Sequence, residues 1–538
     1  MSHPNPVSHP AVVLSGLSYA WPDGDVALDA IDATFGAGRT GLVGANGTGK
    51  TTLLRLLAGE LTPTAGSVTT TGAVGLLPQH LTLRTADTVA DLLGVRERLD
   101  AIRSIETGRT DQALLDVVGH DWEIESRSLA ALTRAGLPDI GLDRTIDQLS
   151  GGEAVLVALV GRRLAATPIV LLDEPTNNLD RTSRHRLYDM ITRWRGALVV
   201  VSHDVALLDL MDDTAELRAG SLTVFGGAWT AWTEHVAAEQ AAAEQALRTA
   251  RQALRTERRQ RVEAETKLAR RSRYARTDYE NKRRPKTIMK QRASEAQVSA
   301  GKLRGELDEK VDAARDLVDR QADRIRRDDH IRVDLPDPKV PANRRLAELR
   351  DGSGTVVTVQ GPERVALTGR NGIGKTRLLD GLVGLGGPPT ATGVHAIAHT
   401  DRIGHLPQRL DHLPDDVSIL DAVRQAAPDS LPGDLRNRLA RFGFRTGAVH
   451  RPVAELSGGE RFRVALAQLL LADPPAQLLV LDEPTNNLDL PTVDVLVDAL
   501  TGHRGGLIIV SHDDAFLDRL GLHVRLLLDE AGLHHDQQ

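Results

Sequence analysis

Four segments of this chain occur twice in the same order, and no other feature restricts the possible fold as strongly. The run Gly44-Ala45-Asn46-Gly47-Thr48-Gly49-Lys50-Thr51 returns as Gly369-Arg370-Asn371-Gly372-Ile373-Gly374-Lys375-Thr376. Leu149-Ser150-Gly151-Gly152-Glu153 returns as Leu456-Ser457-Gly458-Gly459-Glu460, LDEPTNNLD at 172–180 returns at 481–489, and Val201-Ser202-His203-Asp204 returns at 510–513. The paired lysines are 325 positions apart, Glu153 and Glu460 307 apart, and Asp173 and Asp482 309 apart. Two colinear copies of one domain follow. The fall in offset marks a longer stretch before the second motif of the first copy, expected as a helical insertion over 91–128. A chain of 538 residues also exceeds what one hydrophobic core supports. The expected division is a first domain at 1–225, a linker at 226–335 and a second domain at 336–538.

The linker differs in kind from its flanks. It is rich in Ala, Glu, Gln, Arg and Lys and poor in Gly, with helix formers dense over 229–271 and again over 290–328. The break at 281–285, ending in Pro285, predicts an antiparallel helical hairpin, and arms of roughly 40 residues would reach about 60 Å. The formal net charge of -7 conceals a strong local asymmetry. Over 267–292, eleven Lys or Arg stand against Asp278 and Glu280, a net of +9. A generic charge run is most often a solvated helical face. Here the break falls inside the cluster and tyrosines interleave with the cations, which favours RNA contact by a basic tip at 270–292. The contact residues expected are Arg270, Arg271, Arg273, Tyr274, Arg276, Lys282, Arg283, Arg284 and Lys286.

Composition excludes other chemistries. Without cysteine there is no disulfide, thiolate nucleophile or Cys-ligated zinc. Apolar runs break far short of the ~20 residues that cross a bilayer. The first fifteen residues lack the basic-then-apolar pattern of a secretory signal. No transmembrane segment and a cytoplasmic location are therefore expected.

Each Gly-rich run follows a β-like apolar segment and opens a helical one, the context in which backbone N–H groups and a helix N-terminus cradle phosphates. A single such match carries a substantial false-positive rate; two in register do not. Lys50 and Lys375 are then placed for β/γ-phosphates and Thr51 and Thr376 for Mg²⁺. The apolar runs ending in Asp173-Glu174 and Asp482-Glu483 read as buried parallel strands that deliver carboxylates at their C-terminal ends. Asp173 and Asp482 would hold Mg²⁺, and Glu174 and Glu483 would polarise water. Gln79 and Gln408 would bridge metal and nucleophile, with His203 and His512 at the γ-phosphate. A lone histidine after a strand is usually without consequence. Its recurrence at the offset of the carboxylates gives it a role.

In order, these motifs resemble an ATP-binding cassette: Walker A, Q-loop, signature, Walker B, D-loop and H-switch. The expected fold is α/β, with two P-loop cassette domains joined by a long α-helical hairpin. The resemblance implies ATP hydrolysis with Mg²⁺ at composite sites. Ser457, Gly458 and Gly459 would complete the site of Gly44, Asn46, Gly47, Gly49, Lys50, Thr51 and Thr52. Ser150, Gly151 and Gly152 would complete that of Gly369, Asn371, Gly372, Gly374, Lys375, Thr376 and Arg377. It also implies an aromatic side chain against adenine, for which Trp21 is the candidate and Tyr19 the alternative. No aromatic occurs over 331–367 in the second copy. Nor does the first signature share the flanking arginines of the second: Ala154-Val155-Leu156 stands opposite Arg461-Phe462-Arg463.

The duplicated cassette, the hairpin and EPTNNLD after each Walker B look like the ABC-F family of ribosome-associated ATPases, over nearly the whole chain. That resemblance implies a monomer with an intramolecular cassette pair. It also implies a ribosomal partner, both rRNA and tRNA, contacted at the exit site by a hairpin directed toward the peptidyl-transferase centre. The hairpin and short insertion look more like the antibiotic-protection type, against macrolides, lincosamides or streptogramins, than the translation-factor type. The alternative class is the ATPase subunit of a drug exporter with a separate permease. A DNA-associated ATPase is a third reading. The basic hairpin, which has no evident use in an exporter, discriminates against the second of these three.

Overall fold

Apolar runs without a polar face become strands covered on both sides. In Ile169–Asp173, Ile169 and Leu171 join one core cluster while Val170 and Leu172 join another, the two-residue period of a strand between two layers. The computed structural model describes residues 11–79, 86–109, 111–280, 286–325, 335–352, 354–386, 393–408, 410, 413–444, 447–486 and 488–536.

Each cassette has a central six-stranded sheet. In the first the order is Val74–Leu77, Ile169–Asp173, Ala197–Val201, Arg39–Val43, Asp213–Arg218, Ser221–Phe225, parallel except for the last pair. The second repeats it as Ile403–Leu406, Leu478–Asp482, Gly506–Val510, Arg364–Thr368, Val524–Asp529, Gly532–His535. One face carries helices. Opposite it lies a three-stranded antiparallel sheet, ordered Val26–Phe35, Val12–Ala20, Ala65–Thr70 in the first cassette and Val356–Gln360, Arg345–Arg350, His395–Ala398 in the second. Strand order reverses around the two strands that precede the Gly-rich loops, and in open α/β sheets ligands bind at the carboxyl ends of strands at such points.

Between helix Val89–Leu93 and the first signature lie helices Arg96–Glu106, Gln112–Val118 and Ile124–Arg134. Between the equivalent helix Ile419–Ala426 and the second signature the described residues form one α-helix, Pro432–Arg441, and two short 3-10 turns. The extra helices carry the excess sequence length of the first copy.

Both cassettes, residues 1–229 and 329–538, form one compact unit, and residues 230–328 form another. The second unit consists of helices Trp229–Glu280 and Lys286–Asp323. They run further toward each other than the helix-former density suggested, because the Arg and Lys of the basic cluster are themselves good helix formers. At 1.5 Å per residue they measure about 78 and 57 Å. Arg261 Nε meets Asp308 Oδ1 at 2.6 Å, an ion pair between the two helices. The break at 281–285 lies outside the described residues.

Candidate active sites

The Gly-rich loops adopt conformations that side chains would obstruct. Gly44 has φ 156°, and a Cβ there would lie 2.4 Å from the Leu217 carbonyl oxygen; Gly369, at φ 147°, would meet that of Leu528 at 2.3 Å. Each loop delivers its lysine as the first residue of a helix, Lys50–Leu57 or Lys375–Leu382, behind a left-handed glycine. Lys50 Nζ donates to the Gly44 and Ala45 carbonyls at 2.7 and 3.0 Å, and Lys375 Nζ to those of Gly369 and Arg370 at 2.6 and 3.0 Å.

A cavity of about 520 Å³ in the first cassette is lined by Trp21, Asn46, Gly47, Gly49, Lys50, Thr51, Thr52, Gln79, Asp173, Glu174 and His203, among others. One of about 420 Å³ in the second is lined by Asn371, Gly372, Gly374, Lys375, Thr376, Arg377, Gln408, Asp482, Glu483 and His512. Residues 182 positions apart in the first cassette, Trp21 and His203, and 141 apart in the second, Asn371 and His512, thus converge. Trp21 stands edge-on to Tyr19, with ring centroids 5.1 Å apart. The sequence reading missed Asp25, Val26, Ala27, Asn177 and Val201 in the first cavity and Asn178, Leu179 and Asn486 in the second. The identical Asn-Asn-Leu-Asp after both Walker B pairs was a signal for four of these, Asn177, Asn178, Leu179 and Asn486.

Thr51 Oγ1 donates to Asp173 Oδ2 at 2.8 Å, and Thr376 Oγ1 to Asp482 Oδ2 at 2.7 Å. Hydroxyl and carboxylate oxygens side by side suit Mg²⁺, a hard cation that takes few protein ligands and shares the rest with phosphate and water. Among the described residues no group of three or more His, Cys, Asp or Glu gathers to hold a metal alone.

Glu174 and Glu483 share a strained backbone, at φ 48° and 46°, a conformation few non-glycine residues adopt. Both carboxyls are almost wholly buried. Burial outweighs the attraction of Lys50 and raises Glu174 to about 8; burial opposed by Lys375 and Arg184 raises Glu483 to about 7. A general base acts best with its affinity for protons near the working pH. His203 Nε2 lies 3.2 Å from Glu174 Oε1, and His512 Nε2 3.4 Å from Glu483 Oε1, neither aligned as a hydrogen bond. Burial and the neighbouring lysine push both imidazoles down to about 3, so they are neutral near pH 7 and carry one N–H donor each.

The cassettes touch at these loops. The Asn46 backbone N–H donates to Asp489 Oδ2 at 2.8 Å, and Asn371 Nδ2 donates to the Asn178 carbonyl at 2.8 Å. Ser150 and Ser457 each N-cap the helix that follows, accepting from the backbone N–H of Glu153 and Glu460. Ser150, Gly151, Gly152, Ser457, Gly458 and Gly459 do not line either cavity. A Cβ on Gly459 would come within 4.0 Å of Asn46 Nδ2, which puts the second signature beside the first Gly-rich loop.

In the separate two-helix unit, Arg270, Arg271, Arg273 and Arg276 lie on helix Trp229–Glu280 and are exposed, and Tyr274 is 77% exposed. Lys282, Arg283 and Arg284 lie outside the described residues. Lys286 opens helix Lys286–Asp323.

Comparison with known proteins agrees with this geometry. The family model described as ABC transporter matches residues 28–177 and 354–486. The chain is 32% identical to the tylosin resistance ATP-binding protein TlrC of Streptomyces fradiae, over 94% of this chain and 95% of that protein. It is 30% identical to ATP-binding cassette sub-family F member 3 of Mus musculus, over 92% of this chain and 70% of that one. In fold it is similar to an archaeal ribosome recycling factor solved in complex with a ribosomal stalk protein, at TM-score 0.56, 19% identity, and 97% and 89% coverage. Among the described residues no helix is long and apolar enough to cross a membrane.

Proposed function

We propose, for a chain that belongs to the ABC transporter family and within it to the ABC-F ATPases, that ATP closes its two cassettes on the ribosome and that it protects the ribosome from antibiotics. The chain is an ATP hydrolase. In the proposed mechanism Lys50 and Lys375 leave their loop carbonyls for phosphate oxygens, the Gly-rich backbone orients the triphosphate, and neutral His203 and His512 donate to its terminal group. Glu174 and Glu483 orient and deprotonate the attacking water. Thr51 with Asp173, and Thr376 with Asp482, would hold Mg²⁺, with Gln79 and Gln408 beside them; the ion offsets charge developing on the phosphates. Ser457 and Ser150 reach the phosphates across the junction when the cassettes close.

The observation that carries the ribosomal reading is a strongly basic two-helix segment inserted between two intact ATP sites. Its cations and exposed Tyr274 suit phosphate and unstacked bases. The exit site, tRNA contact and approach to the peptidyl-transferase centre follow from the ABC-F resemblance. Similarity to a tylosin resistance protein over almost the full length of both chains supports protection, with macrolides the first class to test.

The Glu174→Gln/Glu483→Gln variant with ATP is expected to co-sediment with ribosomes. Recovery with membranes, or on DNA without ribosomal enrichment, would reject the proposal. Neutralising Arg270, Arg271, Arg273, Lys282, Arg283 and Arg284 should weaken ribosome binding and flatten its salt dependence, with nucleotide binding intact. Expression in a sensitive host, scored across drug classes, identifies the antibiotic.

A further inference from the structure

The halves repeat their motifs but not the helix after Walker B. With the offset of 309, Arg181, Arg184 and Tyr188 of the first cassette correspond to Leu490, Val493 and Val497 of the second. The residues they face do repeat: Asp204 follows His203, and Asp513 follows His512. One cassette therefore brings a cation to the junction where the other brings an alkyl group.

Arg184 lies in helix Arg181–Thr192 and is only 9% exposed. Its Nη1 is 3.4 Å from Asp204 Oδ2, which also accepts from the Tyr188 hydroxyl at 2.5 Å, and its buried Nε makes no hydrogen bond. Asp204 is itself fixed: it N-caps the short helix Val205–Leu208 and its N–H donates to Ser202 Oγ. The same helix begins just after Asn178 and Leu179, which line the second cavity, so Arg184 comes from the segment that closes the other cassette's site. Its charge acts across the junction on Asp513, Glu483 and His512. Beside it, Arg181 Nε meets Asp514 Oδ2 at 3.1 Å and Arg181 Nη1 meets Asp536 Oδ2 at 3.5 Å, both in the second cassette. On the opposite wing Leu490 and Val493 offer no such pairing.

We propose that Arg184 is a positioning residue for hydrolysis in the second ATP site, supplied by the first cassette and held by the aspartate next to the first cassette's own switch histidine. A buried cation hydrogen-bonded to Asp204 beside one switch histidine, whose charge also favours ionised Asp513 beside the other, connects the two switch loops through a single side chain. Movement of His203 and Asp204 at the first site then shifts Arg184 and alters the surroundings of His512 and Glu483 at the second. The first site has no reciprocal device, because Val493 occupies the matching position. The effect on turnover is therefore expected to be unequal, larger at the second site than at the first.

The test uses the full chain with one site silenced at a time, and it rests on the assignment of Glu174 and Glu483 as the bases. In the Glu174→Gln background, where only the second site turns over, Arg184→Val is expected to lower kcat about tenfold with KM within about twofold. Arg184→Lys should recover most of that loss. In the Glu483→Gln background, Arg184→Val should leave first-site turnover within about twofold. Arg184→Val leaves buried Asp204 without its cation, so Arg184→Val/Asp204→Asn, which keeps a capping side chain, is measured alongside; its second-site kcat should stay low. Equal losses in both backgrounds, full recovery in the double variant, or no loss at all would overturn the inference. Turnover that survives Glu174→Gln/Glu483→Gln would remove the base assignment, and the inference with it.

Discussion

The two cavities repeat the same residue types around their Gly-rich loops and differ in the rest of their lining. In the first, Trp21, Asp25, Val26 and Ala27 form a wall at the turn between strands Val12–Ala20 and Val26–Phe35. The second cavity takes none of its lining from the matching strands Arg345–Arg350 and Val356–Gln360 among the described residues. It carries Arg377 where the first has Thr52. Duplication kept the residues proposed to act on the phosphates, while the wall proposed to face the base and the helix behind the D-loop diverged. In the proposed reading the first site grips base and phosphates, the second mainly phosphates.

The comparison breaks outright if the shared residues are not the chemical ones. Glu174→Gln or Glu483→Gln alone should leave the turnover of the other site, and the double variant should lose on the order of a hundredfold or more of steady-state phosphate release. Next in size is the base wall. With the second site disabled by Lys375→Ala, Trp21→Ala should weaken ATP binding about tenfold, as expected for loss of one stacking partner. With the first disabled by Lys50→Ala, ATP, CTP and inorganic triphosphate should bind within about threefold of each other by competition with a fluorescent nucleotide, since among the described residues no Trp, Tyr or Phe lines that cavity. Arg377→Thr should weaken triphosphate binding to the second site by up to about fivefold and remove part of its salt dependence, because an exposed charge pair contributes little. The smallest effect separates fold from function in the signature: Ser150→Ala or Ser457→Ala should cost about 1 kcal/mol of stability through the lost cap, read as a lower Tm without nucleotide.

Much of the architecture was legible because its elements are local. A Gly-rich turn needs glycines where Cβ atoms would strike carbonyls, and buried parallel strands need unbroken apolar runs, so both appear in the chain as patterns. The hairpin helices were legible from composition, though their ends were not: Arg and Lys near 271–280 were read as a basic tip when they also propagate the helix. Asp25, Val26 and Ala27 carry no motif, and only the turn between two strands brings them to the cavity.

By itself the amino-acid order determined two copies of one phosphate-binding domain, the carboxylates, histidines and glutamines at each, and a cationic helical insert between them. Tertiary structure alone decided which loop of one cassette meets which site of the other. It put Asn178 beside Asn371 and Asp489 beside Asn46, let the charge of Arg184 act on Glu483, and buried Glu174 and Glu483 deeply enough to raise their proton affinity. Such effects depend on distance and on the exclusion of water between groups up to several hundred positions apart, and neither quantity is written in the spacing of residues along the chain.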